Sequence, residues 1–396
     1  MRYGILALVT SAQAGAAIVQ QGMGSLGPFF TSEFSLNRAQ LGIIFGMLMV
    51  GGTATTLASG VAVDAFGERR MILFSGVTMG IALIAATFVH SYPWLVAWMG
   101  LAGIGYAAAT PAGGRAILMW FERNRGLAMG IRQMGVPIGG FIGALLLPFL
   151  ATLGTYRLAL AVGGILTMLP AIVAATLYRH PEGHIQATKR LGEVVRATLE
   201  VARDRRILYV TLTCMILVTA QSNMLTFLVL TLVRDAKIDI AVAGAGLALA
   251  QVGAMAGRLA WGFVSDALFK GDRIVPLMYS CILASLASAS VAFVPAHAVW
   301  FALAIAFVLG ISGAGWNGLF TAAEVEIGGP DRAGSALGIG LTGVFAMGIF
   351  APPLFGALAD ARGFGFAWIA LAGFLLLAFA PAILARRAIA RANLTA

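Results

Sequence analysis

Apolar runs of about twenty residues, the length a helix needs to cross the roughly 30 Å hydrocarbon core of a bilayer, follow one another along almost all of this 396-residue chain. Only 11% of the residues are charged and 60% are hydrophobic, against roughly 25% charged in a soluble domain. Such a chain lacks the polar residues to coat a globule, so lipid is its expected solvent. Between charged or turn-rich breaks the runs cover 4–30, 39–62, 71–90, 94–120, 126–151 and 156–178, then 207–233, 241–264, 274–294, 298–322, 334–357 and 366–385. The expected fold is therefore an all-α membrane protein with twelve transmembrane helices. The first run continues past any cleavage site and is read as a retained span rather than a signal peptide. Cys214 and Cys281 both sit inside apolar runs and offer neither a disulfide framework nor zinc-ligand spacing.

The net charge of +10 has no nucleic-acid pattern, because the cations sit mainly between apolar runs without interleaved aromatics. Their distribution fixes an expected orientation instead. Placing the N-terminus in the cytoplasm puts eighteen Lys and Arg on that side, seven of them in the central loop, and leaves five outside: Arg38, Arg157, Arg234, Lys237 and Arg362. The positive-inside rule then places both termini in the cytoplasm; three Lys against 23 Arg point to a GC-rich bacterial genome, so the expected location is a bacterial inner membrane. Arg115, Arg132 and Arg258 remain within spans.

The chain also repeats itself. Gly60-Val-Ala-Val-Asp64 recurs as Gly262-Phe-Val-Ser-Asp266, and Gly126-Leu-Ala-Met-Gly130 matches Gly334-Ser-Ala-Leu-Gly338, at offsets of 202 and 208 residues. Two parallel, pseudo-symmetric six-helix bundles follow, 1–178 and 207–396. The polar stretch 179–206 is their cytoplasmic linker, and 191–206 reads as an amphipathic helix on the membrane surface.

The run Gly60-Val-Ala-Val-Asp64-Ala-Phe-Gly67-Glu-Arg69-Arg70 fills every position of a signature: Gly, three residues, Asp, two residues, Gly, one residue, two basics. It resembles the loop between helices two and three of the major facilitator superfamily, and with the twelve spans and the repeat the resemblance extends over the whole chain. It implies that Gly60 permits close packing against the partner half, that Gly67 is a further conformational position of the signature, and that Asp64 faces a helix N-terminus. It further implies that Arg69 and Arg70 reach an acid on the cytoplasmic face, Glu122 being the first candidate, as a latch on the inner side. A turn whose basics serve orientation alone is the other reading. Asp266 belongs to the degenerate second copy. The stretch Trp120 to Gly140 is similar to the fourth-to-fifth helix junction of organic-anion carriers. Gly257-Arg258-Leu-Ala-Trp-Gly262 is similar to the eighth helix of monocarboxylate and oxalate/formate carriers. That second likeness implies a carboxylate contact for Arg258. The exchangers' eleventh-helix Lys has no counterpart, since 334–357 carries no charge.

Charges inside a span cost several kcal/mol without a partner or a cavity, which makes each a functional candidate. At about 1.5 Å of rise per residue, Arg115 and Arg132 lie roughly 9 Å, and Arg258 roughly 12 Å, inside the cytoplasmic boundary. Every Asp and Glu, by contrast, falls in a loop or near a span end, so the interior field is net positive and an anion is the expected guest. Other roles stay open: Arg258 snorkelling or pairing with Asp266, and Arg115 and Arg132 forming a network with Glu122 or Glu324. Gln251 shares a face with Arg258, and Gln13 with Gln20. Gln21 corresponds by the repeat to Asn223. These amides either orient a ligand or join helices. Tyr106 and Arg115 point oppositely unless Pro111 bends their helix, and Asn317 is a weaker candidate.

The sequence thus describes a secondary active transporter for a small organic anion, a carboxylate, working by alternating access as anion exchange or proton co-transport. It is not an enzyme. No cofactor or metal is expected, since neither a phosphate-cradling Gly-Lys-Ser/Thr loop nor a metal-ligand cluster occurs. The expected partners are the anion, the bilayer and, as a candidate coupling ion, the proton, with no nucleic acid and a monomeric state. The rival readings are a proton-driven multidrug efflux carrier, which usually needs an acid within the membrane, and a non-transporting membrane sensor.

Overall fold

The computed structural model describes residues 2–121, 125–179 and 200–395. All regular structure among them is helical. The helices are α1 (Arg2–Gly22), α2 (Gly27–Phe34), α3 (Arg38–Phe66), α4 (Glu68–Ala85), α5 (Tyr92–Trp120) and α6 (Arg125–Leu177). After the linker come α7 (Arg205–Arg234), α8 (Ile240–Leu268), α9 (Ile274–Val291), α10 (Val299–Gly313), α11 (Asn317–Arg362), α12 (Phe364–Leu376) and α13 (Phe379–Thr395). Among the described residues ten helical stretches are long and apolar enough to cross a membrane. This is a multi-pass membrane protein. A helix is the form that satisfies every backbone polar group within lipid. Residues 180–199, which include most of the expected surface helix, lie outside the described residues, as do Arg123 and Glu122.

Sharp turns come where the backbone leaves the helical region. The expected loop at the 60–70 signature shrinks to one residue. Helix α3 runs to Phe66, Gly67 turns the chain at φ +81°, and α4 begins at Glu68. A side chain would be strained there, which explains a glycine at this point of the signature. The stretch Ala128–Leu177 is 50 residues long, about 75 Å as one helix, more than twice the hydrocarbon thickness. It breaks at Gly154 and Thr155, both non-helical, between the two spans read from sequence. Gly329 and Gly363 turn the chain similarly at φ +68° and +85°. Two of the spans read from sequence are interrupted by turns: in 298–322 α10 stops at Gly313 and a turn over 314–316 precedes Asn317, and in 366–385 α12 stops at Leu376 and a turn over 377–378 precedes α13.

The chain divides into two compact units. The first comprises Met1–Thr188 with Leu225–Val233 and Asp239–Ala248, the end of α7 and the start of α8; the second comprises the rest. Glycine sets the helix spacing inside each. In the first unit Gly135, Gly139 and Gly143, spaced four apart on α6, face the carbonyls of Thr10, Ala14 and Ile18, spaced four apart on α1. Four-residue spacing keeps each set on one helix face, and small residues there let transmembrane backbones touch. In the second unit Gly253 and Gly257 of α8 meet the carbonyls of Phe307 and Ile311, while Gly310 meets Ala250.

Candidate functional site

In the first unit the α1–α6 glycine seam positions a fully buried arginine. Arg132 lies three residues before Gly135 and is 1% exposed. Its Nη1 donates to Gln13 Oε1 at 3.0 Å and its Nη2 to Gln133 Oε1 at 3.0 Å. Gly113 of α5 leaves it room, since a Cβ at that position would come within 3.2 Å of Nη1. Tyr106, also on α5, is close enough to interact electrostatically. Among the described residues no carboxylate pairs with Arg132. Two N–H donors of this cluster, Arg132 Nε and Gln13 Nε2, have no acceptor there. A narrow cleft beside them is lined by Val9, Gln13, Ser75 and Gly113 among others. The cluster is thus a positively charged set of donors seeking oxygen.

Higher along α1, Gln21 donates to Gln20 at 2.5 Å, so these two amides satisfy each other in part and Gln13, not Gln20, serves the arginine. Sequence pattern found Gln13 and Arg132 separately; Gln133 was missed, because neighbours in sequence point about 100° apart on a helix. Here the long arginine curls back to reach it.

Arg115 belongs elsewhere. Its Nε lies 3.6 Å from Glu68 Oε2, and its Nη1 donates to the Val63 carbonyl at 3.2 Å. Glu68 is fully buried and accepts a 2.7 Å hydrogen bond from the Tyr178 hydroxyl. Of the expected network partners of Arg115, Glu122 lies outside the described residues; Glu68 is an acid that the structure places beside it. Arg69 donates from Nε to the Ala175 carbonyl at 2.6 Å, and Arg70 is exposed. Gly60 and Asp64 lie in α3, but their side chains, like Glu122, fall outside the described residues. The signature segment is thus braced within its own unit, with Val63's carbonyl receiving both Gly67 N–H and Arg115.

The brace yields a prediction. Glu68→Ala should lower stability by about 1–3 kcal/mol, the cost of leaving a buried hydroxyl unpaired, with ligand affinity little changed. Glu68→Gln, which keeps an acceptor for Tyr178, should lose less. Thermal denaturation of the two variants checks this, and equal midpoints for Glu68→Ala and the parent would remove the brace from the account.

In the second unit Arg258 and Gln251 stand seven residues apart on α8, the amide buried and the arginine half-buried. Asp266, the alternative partner for Arg258, is held by Arg273 at 2.6 Å; Arg273 also binds Glu326 at 2.9 Å. Glu326, then Asp266, lift Arg273 above its ordinary value against the lowering effect of partial burial. Asn317 donates to Gln221 Oε1 at 3.2 Å and to the Ala314 carbonyl at 3.0 Å, bridging α7 to the turn before α11. Asn223 is 2% exposed and its Oδ1 has no donor among the described residues. Glu324 is fully buried, inside a candidate span. No group of three metal-ligating side chains occurs among the described residues.

Residues 9–352 match the model of the Major Facilitator Superfamily. The chain belongs to that family. An uncharacterised transporter of this superfamily from Mycobacterium tuberculosis is 29% identical over 394 residues, covering 96% of this chain and 84% of that protein. The 3-(3-hydroxy-phenyl)propionate transporter of Escherichia coli strain K12 is 30% identical over 64% of this chain and 62% of its own. The 4-hydroxybenzoate transporter PcaK of Pseudomonas aeruginosa is 26% identical over 45% of this chain and 40% of its own. Among solved structures, a bacterial homolog of the human lysosomal transporter Spinster superposes with a TM-score of 0.82 at 18% identity, covering 98% of this chain and 97% of that one. This last likeness establishes the fold. The sequence relatives are transporters, not enzymes.

Proposed function

We propose that this chain is a secondary transporter that moves a small organic anion, a carboxylate, across a bacterial inner membrane by alternating access. The observation that carries the reading is Arg132: a fully buried guanidinium with no carboxylate partner among the described residues, flanked by donors without acceptors. A buried charge is costly until something compensates it, and a planar fork of N–H donors matches a carboxylate. Arg258 with Gln251 is the second unit's anion contact on this reading, and Gln20, Gln21, Asn223, Tyr106 and Asn317 are orienting groups. Relatives named for 3-(3-hydroxy-phenyl)propionate and 4-hydroxybenzoate support the same chemistry. So does a more distant one named as a probable sulfoacetate transporter.

Twelve crossings with cytoplasmic termini are part of the proposal. The ten candidate spans become eleven when Ala128–Leu177 is counted as two, and twelve with α3, whose apolar part covers Arg38–Gly51. Arg69 and Arg70 with Asp64 and Glu122 form the inner latch, and Asp266 its weaker counterpart. The protein acts as a monomer, and anion exchange and proton co-transport are the two coupling modes that fit.

Thermal stability of the purified protein against a ligand panel tests the reading. At a hundred times its dissociation constant a ligand stabilises the folded state by about 2.7 kcal/mol. Aromatic monocarboxylates such as 4-hydroxybenzoate should raise the midpoint, and neutral analogues should not. Stabilisation by lipophilic cations alone would replace the proposal with the efflux reading, and binding without flux in proteoliposomes would replace it with the sensor.

A further inference from the structure

Glu324 is not used by any of the contacts described so far. It sits on α11 inside a span, and its side chain has no exposure to solvent. Oε1 accepts a 2.9 Å hydrogen bond from Thr211 Oγ1 on α7; Oε2 has no partner among the described residues. From the far half of α11, Gly340 presses close, so that a Cβ there would come within 3.0 Å of Oε1 and of the Phe320 ring. The titratable groups facing it are few. On α7 there is the buried Cys214 thiol. Just before α7, Asp204 acts on it electrostatically, and Asp204 is already paired with Arg206 at 2.7 Å and sensed by Arg332. Glu326 on the same helix is committed to Arg273. No cation lies within ion-pair distance of Glu324 among the described residues.

We infer that Glu324 is a proton-carrying site of the transport cycle, which commits the proposed function to proton co-transport. A carboxylate in this pocket would be a bare charge with a single neutral donor, facing another acid at longer range. Such a charge is far costlier than a neutral acid with one unmade hydrogen bond. The pocket therefore favours the protonated acid as it stands, and the carboxylate only in a conformation that admits water or a cation. That is what a coupling residue requires: one proton taken up on the carboxyl, carried through the conformational change and released from the same oxygen. Moving one monocarboxylate with one proton transfers no net charge, so the cycle need not work against the membrane potential. The inference rests on the transporter reading but not on the identity of the anion.

Two measurements on the full chain in lipid test it. Infrared difference spectra between about pH 5 and about pH 9, a range above the ordinary glutamate value of about 4.3, should show a protonated-carboxyl band that titrates and vanishes in Glu324→Gln. If the mutation removes no band, the proton site is overturned whatever the substrate. In proteoliposomes with 4-hydroxybenzoate as probe, Glu324→Gln should lose pH-gradient-driven accumulation at least tenfold yet retain counterflow. Glu324→Asp should keep part of the accumulation. A packing role predicts the opposite order, with Gln better tolerated than Asp, and would sink the inference, as would undiminished accumulation in Glu324→Gln. If the wild type moves no 4-hydroxybenzoate while the infrared band behaves as stated, the choice of anion fails and the proton site stands.

Discussion

Arg132→Ala should abolish uptake of the anion while leaving the protein folded. Truncating a buried, hydrogen-bonded charge at a binding site costs roughly 2–5 kcal/mol. At 1.4 kcal/mol per decade, that weakens binding about thirtyfold at least. Stability should respond differently. Removing one partner of a buried ion pair strands the other charge and destabilises by about 3–5 kcal/mol, but among the described residues Arg132 has no carboxylate to strand; what it releases are the amides of Gln13 and Gln133. Without ligand, the thermal midpoint should stay near the parent's or rise. With 4-hydroxybenzoate present, the parent's stabilisation should disappear. Arg132→Lys keeps the charge but loses the bidentate fork and falls between the two. A variant that transports normally removes Arg132 from the site. A variant that unfolds shows that the guanidinium holds the helices together instead.

The parts of this protein that could be read from its sequence are those set by periodic or local rules. Span length follows from bilayer thickness, and the break between 151 and 156 appears where Gly154 and Thr155 leave the helical region. The half-chain repeat and the glycine signature are also local patterns, and they gave the family. Pairings across the sequence could not be read. Arg132 and Gln13 are 119 residues apart, and only the glycine seam of α6 against α1 makes them neighbours. A network of Arg115 with Glu122 or Glu324 is one reading of the sequence, yet an acid beside it in the structure is Glu68 on α4. Glu68 looked like part of a loop because the signature was read as a loop, whereas Gly67 alone makes the turn and Glu68 opens a buried helix. Glu324 was discounted for the same reason: it stands just beyond the apolar run 298–322. The helix continues to Gly329, and Thr211 with Gly340 encloses the carboxyl. The turn at 314–316 escaped notice because Gly, Ala and Trp leave hydropathy unbroken.

The α1–α6 seam is the most sensitive packing in the first unit, and Gly139→Leu should show it. A Cβ at Gly139 would overlap the Ala14 carbonyl and press on Ala17; at Gly135 it would lie 2.8 Å from the Thr10 carbonyl; at Gly143 it would overlap Ile18. Apart from the Cβ of Ala17 these obstacles are backbone atoms, which cannot rotate away as a side chain can. Overpacking that side chains can absorb costs about 1–3 kcal/mol; a clash with backbone should exceed that range. Gly130→Leu is the matching control, since Gly130 is on the same helix with nothing within 4 Å of an added Cβ. The expected result is a large fall in the yield and thermal midpoint of Gly139→Leu, with Gly130→Leu close to the parent. Whatever fraction of Gly139→Leu does fold should also fail to be stabilised by 4-hydroxybenzoate, because parting α1 from α6 breaks the Arg132–Gln13 bond. Equal midpoints for the two variants would mean that the helices separate at little cost, and the argument that glycine spacing positions Arg132 would fail with them.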